Sequence, residues 1–163
     1  MQHQLLTGFG LGTLPRAPGT WGSLAVALVF PATVLFLDSW FANLLMIALL
    51  VVFSFATIRL GPWAEQHWGR ADPPQVVSDE IAGQSLVFLC LPWGDVGLQE
   101  APLLCLLYAM VGFVLFRILD IMKPPPIGLL QHLREGWGIL LDDLLAGLLA
   151  GLGLWLLALV TMA

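Results

Sequence analysis

The sequence has too little charge to coat a domain in water. Only 10% of its residues are Asp, Glu, Lys or Arg, where a soluble domain carries about a quarter. Apolar residues stand in their place: 59% of the 163 residues are hydrophobic, and mean hydropathy is +0.91. The shortage of cations excludes a nucleic-acid partner. Six Lys and Arg scattered among eleven acids, for a net charge of −5, build no basic patch. Cysteine is scarce too. Cys90 and Cys105 lie inside apolar runs without metal-ligand or CxxC spacing, so they read as buried thiols. The first residues lack the basic region and small-residue cleavage site of a signal peptide, so the mature chain is expected to start here. No linker, internal repeat or low-complexity tract divides it, and one membrane-embedded domain over residues 1–163 is expected.

What is present is a series of long apolar stretches, at residues 23–37, 41–58, 81–91, 101–119 and 144–162. The last two are 19 residues each and carry no charge but Arg117, long enough for a hydrocarbon core of about 30 Å. Residues 81–91 are the weak segment, since so short a helix rises only about 16 Å; it is expected to be tilted, re-entrant or buried. The spacing therefore predicts an all-α polytopic transmembrane bundle of about five membrane segments. An interfacial amphipathic helix is expected at residues 62–68, with proline at its first turn and tryptophans suited to the headgroup level. Charge sets the topology. With five crossings, Arg16, Arg59, Arg70, Arg117, Lys123 and Arg134 share one side, while Asp38, Asp95 and Glu100 occupy the other. Were the third segment not to cross, the cations would split between the faces. The positive-inside rule then predicts a cytoplasmic N-terminus and an external C-terminus.

Four polar elements share the cytoplasmic face in this topology. A glycine-rich loop over residues 8–23 leads into the first span. Its backbone N–H groups and the following helix N-terminus suit an anion, with Arg16 for a forked phosphate contact. The plainer reading is a tight turn and helix start, and the loop matches no Walker A or Rossmann fingerprint. Asp79-Glu80 precede Gly83, Arg117 and Asp120 stand three residues apart before Lys123, and Asp142-Asp143 precede Gly147. Helix capping accounts for single acids of this kind, and snorkelling for Arg117. It does not easily account for five acids (Asp79, Glu80, Asp120, Asp142 and Asp143) at span ends on one side. Crowded carboxylates repel one another unless a cation sits among them, and oxygen-only ligands suit Mg²⁺. A metal site is the better reading. The three histidines, His3, His67 and His132, read as surface or interface residues.

Four blocks together carry a resemblance. Residues 11–23 (LGTLPRAPGTWGS), 79–83 (DEIAG), 116–124 (FRILDIMKP) and 138–147 (GILLDDLLAG) resemble, in order and across nearly the whole chain, the phosphatidylglycerophosphatase A family. The resemblance implies a bacterial inner-membrane, Mg²⁺-dependent lipid phosphatase. It would convert phosphatidylglycerol phosphate to phosphatidylglycerol and inorganic phosphate, with its active site facing the cytoplasm and a membrane phospholipid as its partner. It makes Asp79, Glu80, Asp120, Asp142 and Asp143 the acidic, metal-holding set, with Lys123 also in the catalytic group. Arg16, Gly19, Thr20, Ser23, Arg117 and Lys123 are the expected phosphate-binding residues. Two rival classes are a transporter with acids along an ion path and a structural subunit whose acids cap helices. The clustering of acids at span ends, rather than at mid-depth, disfavours the first.

Overall fold

Local chemistry sets the helix boundaries. The computed structural model describes residues 1–92, 97–131, 133 and 136–162; Asp95, His132 and Arg134, which entered the sequence reading, lie outside the described residues. A short α1 (Gln2–Leu6) and a 3-10 turn (Leu11–Thr13) precede α2 (Pro18–Phe36). Pro18 stands in the first turn of α2, where its missing N–H costs no helical bond. Asp38 then starts α3 (Ser39–Trp68), accepting a 2.8 Å bond from the Trp40 N–H. Gly69, at φ 70°, ends it in the left-handed conformation that glycine adopts without steric cost. The remaining elements are α4 (Ser78–Leu89), α5 (Pro102–Met122), α6 (Ile127–Leu130) and α7 (Gly136–Met162). Among the described residues there is no strand.

Burial is inverted relative to a water-soluble protein. Leu28, Leu44, Val51, Leu106, Val114 and Leu152 are exposed, while Ser23, Thr57, Gln84 and four aspartates are buried. Lipid, not water, rewards that arrangement. Among the described residues, four helices (α2, α3, α5 and α7) are long and apolar enough to cross a membrane. The chain is an all-α polytopic membrane bundle.

The short third segment, α4, is the hub, packing on all four long helices. Phe88 of α4 stacks on Phe30 of α2 with ring centroids 4.2 Å apart. Gly83 lies against Phe116 of α5 and Asp143 of α7, while Gly151 of α7 lies against Val87 and Cys90. Residue order along these contacts makes α4 parallel to α2 and α7 and antiparallel to α5. Twelve residues of helix rise about 18 Å, so α4 alone does not traverse the hydrocarbon. Leu91 and Leu98, beyond its end, are buried. Non-helical backbone at membrane depth is tolerated where protein surrounds it.

Two boundaries differ from the sequence expectation. The interfacial helix at residues 62–68 is the end of α3, which runs unbroken through Pro62. Thirty residues rise about 45 Å, so its last turns stand clear of the hydrocarbon, where water can satisfy the carbonyl that proline leaves unpaired. The final helix starts at Gly136, not near residue 144, because the chain packs there before it becomes apolar: a side chain at Gly136 would overlap the Thr57 carbonyl.

Candidate active site

Three helices deliver their acids to one end of the bundle. Asp79 and Glu80 occupy the first turn of α4, and Asp120 the last turn of α5. Asp142 and Asp143 stand about two turns inside α7, not at its start. That position removes helix capping as their explanation, because the groups needing caps lie in the first turn. Asp120 sits at a helix C-terminus, where the macrodipole disfavours an acid. Capping leaves Asp120, Asp142 and Asp143 unexplained.

Glycine spacing brings two of the helices together. On α4 the acids precede Gly83 by about one turn, and on α7 Asp143 precedes Gly147 by one turn. A Cβ at Gly147 would overlap the Gly83 carbonyl, and one at Gly83 would lie 2.7 Å from the Asp143 carbonyl. The two backbones touch, so the carboxylates one turn above must meet. Asp79, Glu80 and Asp143 each place a carboxylate oxygen within 4.8 Å of the others. Asp79 Oδ1, Glu80 Oε2 and Asp143 Oδ2 are buried without a hydrogen-bond partner among the described residues. Anionic oxygens in that condition are expensive. An oxygen-only donor set of this kind fits a hard divalent cation, which would neutralise the crowding.

The other two aspartates are held by cations. Arg117 Nη1 donates to Asp120 Oδ2, and Lys123 Nζ donates to Asp142 Oδ2 while lying 3.9 Å from Asp120 Oδ1. Lys123 reaches inward because it closes α5 in the left-handed region, at φ 42°, which a non-glycine residue adopts at a cost of about 1–2 kcal/mol. Burial disfavours its ammonium, but the bond and charge of Asp142, with Asp143 and Asp120, outweigh that and raise its pKa above the ordinary lysine value. Arg117 keeps a buried Nε with no partner among the described residues. Behind the site, the Thr57 and Ser78 hydroxyls share a buried 2.6 Å bond that pins α3 to the start of α4.

The glycine-rich loop, the expected phosphate cradle, has a packing role of its own. Gly8, Gly12 and Gly22 abut the chain at Gln75, Val77 and Ile81, allowing the N-terminal segment to pack on the approach to α4. Gly19 alone touches the acids: a Cβ there would overlap Glu80 Oε1 and lie 3.3 Å from Arg117 Nη1. Ser23 is fully buried, and its hydroxyl donates to the Gly19 carbonyl at 2.8 Å, so it has no proton to offer a phosphate. Arg16 is exposed, in no ion pair among the described residues. Thr20 borders a groove with Arg117.

One residue escaped the sequence reading. Gln84, one turn beyond Glu80, is fully buried, and neither amide atom has a partner among the described residues. A lone amide inside an apolar segment was the available signal.

The description of the family whose profile matches residues 4–158 is phosphatidylglycerophosphatase A. A Bacteroides thetaiotaomicron protein, provisionally named a phosphatidylinositol-3-phosphatase, is 36% identical over 86% of this chain and 83% of its own. Phosphatidylglycerophosphatase A of Haemophilus influenzae is 33% identical over 91% of this chain and 83% of its own. The Escherichia coli protein of that name is 34% identical over 91% and 78%. No solved structure matches.

Proposed function

The chain belongs to the phosphatidylglycerophosphatase A family, and on that premise we propose that it hydrolyses the terminal phosphomonoester of phosphatidylglycerol phosphate with Mg²⁺ as cofactor. It is a phosphatase of the membrane, acting on a phospholipid. The observation that carries the finer reading is the convergence of the Asp79, Glu80 and Asp143 carboxylates, each with one buried oxygen that has no partner among the described residues, near a guanidinium and an ammonium.

Asp79, Glu80 and Asp143 would hold the ion. Bound there, Mg²⁺ supplies Lewis-acid neutralisation of the charge that develops on a transferring phosphoryl group. The chain's own groups do the rest. Arg117, fixed by Asp120, keeps Nε free for a phosphate oxygen of the headgroup. Lys123, held charged by Asp142, offsets the negative field into which an anionic substrate must come. A carboxylate outside the metal-holding set orients the attacking water and takes its proton as the phosphorus–oxygen bond to the headgroup breaks. That proton then goes to the departing alkoxide, leaving phosphatidylglycerol and inorganic phosphate. The acyl chains stay in the bilayer throughout.

The orientation follows from charge. Arg16, Arg59, Arg70, Arg117 and Lys123 lie toward the acid end of the helices, so that end faces the cytoplasm of a bacterial inner membrane. A reporter fused after residue 163 should then read as periplasmic; a cytoplasmic reading reverses the assignment.

The test is phosphate release by the purified protein from phosphatidylglycerol phosphate, with Mg²⁺ and with chelator, beside phosphatidylinositol 3-phosphate. Release from the first lipid that chelation abolishes and Mg²⁺ restores is the expected result. Release from the inositol lipid alone would move the substrate, and chelator-resistant release would remove the metal.

A further inference from the structure

A groove follows the lipid-facing seam between α2 and α5. Its deeper part, about 400 Å³, lies between Leu24, Leu28 and Pro31 of α2 and Leu106, Met110 and Val114 of α5. Its upper part, about 370 Å³, shares Phe113 and Val114 with the deeper one and ends at Thr20 and Arg117. The walls are apolar along the whole course. Polar side chains enter only at the end beside Gly19, where Glu80 and Arg117 converge. From Thr20 to Pro31 the helix rises about 16 Å, roughly half of a hydrocarbon core of about 30 Å, which is one leaflet.

We propose that this groove seats one acyl chain of the lipid substrate, with the lipid's diester phosphate at Arg117 and Thr20. The inference rests on the lipid-phosphatase reading and adds the site by which the enzyme grips the hydrophobic part of its substrate. Three features select this occupant. The groove has the length of a single leaflet's chain, its cation complements the diester anion, and it ends at Arg117, which is paired with Asp120 of the acid cluster. A second apolar groove, about 420 Å³ between α1 and α3, lacks the last feature. Its cation, Arg59, lies over the Phe55 ring, 5.5 Å from the centroid. Holding the chain in the α2–α5 seam fixes the depth and azimuth of the headgroup, so remote binding energy positions the reacting phosphate.

The test fills each groove in turn. Val114 is 45% exposed and Val52 50% exposed, so an indole at either position occupies the groove without entering the core. Val114→Trp should raise KM for a dioleoyl phosphatidylglycerol phosphate about tenfold more than for its dihexanoyl counterpart, the effect of displacing about two methylenes. Val52→Trp should leave both unchanged. Equal effects on the two esters, no effect, or an effect of Val52→Trp in place of Val114→Trp would each overturn the assignment. A phosphatidylglycerol with a photoactivatable acyl chain separates this proposal from the activity. It should label Met110 and Val114 in the wild-type protein even if no phosphate is released. Labelling of Val51 and Val52 instead would sink the groove while leaving the phosphatase reading intact.

Discussion

The two ends of the bundle bury polar groups for different purposes. At the far end Tyr108 is fully buried, and its hydroxyl bonds that of Thr161, which also lies 3.0 Å from the Leu157 carbonyl. Those groups are neutral and satisfied, and they join α5 to α7. At the acid end the polar groups are ionisable, and Asp79, Glu80 and Asp143 converge, each with one buried oxygen that has no partner among the described residues. A satisfied pair stabilises the fold modestly; an unsatisfied anionic cluster destabilises it. Sequence composition treats both as polar residues in apolar helices. The difference lies in whether the partner is already inside the protein or must arrive from outside.

Replacing groups at each end should separate these roles. The largest effect is expected for Asp143→Asn, which removes one anionic oxygen from the cluster. Phosphate release should fall at least about 100-fold, while the apparent melting temperature in detergent without metal stays the same or rises, since one repulsive charge is gone. Near-wild-type turnover would exclude Asp143 from the essential set, and a collapsed fold would mean the acid is structural. An intermediate effect is expected for Gly147→Ala, whose added methyl meets the Gly83 carbonyl. It should destabilise the protein by about 1–3 kcal/mol and lower activity as well, because the α4–α7 contact sets the spacing of the acids. Thermal unfolding beside phosphate release checks both, and unchanged stability would show that the two backbones are free to separate. The smallest effect belongs to Tyr108→Phe. Loss of one interhelical bond should cost about 0.6 kcal/mol with turnover unchanged; a large loss of activity would mean the far end is coupled to the acid end.

The site was partly legible along the chain. Asp79-Glu80 with Gly83, and Asp142-Asp143 with Gly147, display an acid one turn before a glycine on two helices. That spacing places each acid over a close backbone approach on its own helix. It does not say which helix is approached. The glycine-rich loop also has a part that its sequence does not display: Gly8, Gly12 and Gly22 permit close approach to the chain at residues 75–81. Gln84 was overlooked because an isolated amide carries no motif.

Composition and charge order alone determined that this chain lives in lipid as an all-helical bundle, because too few polar groups exist to face water on every side. The tertiary structure decided which carboxylates meet. Helices that are local in their hydrogen bonding become neighbours only through packing. The Gly83–Gly147 contact joins α4 to α7, while Arg117 and Lys123 engage Asp120 and Asp142. Of five similar acids, that leaves Asp79, Glu80 and Asp143 together, each with an oxygen that has no partner among the described residues.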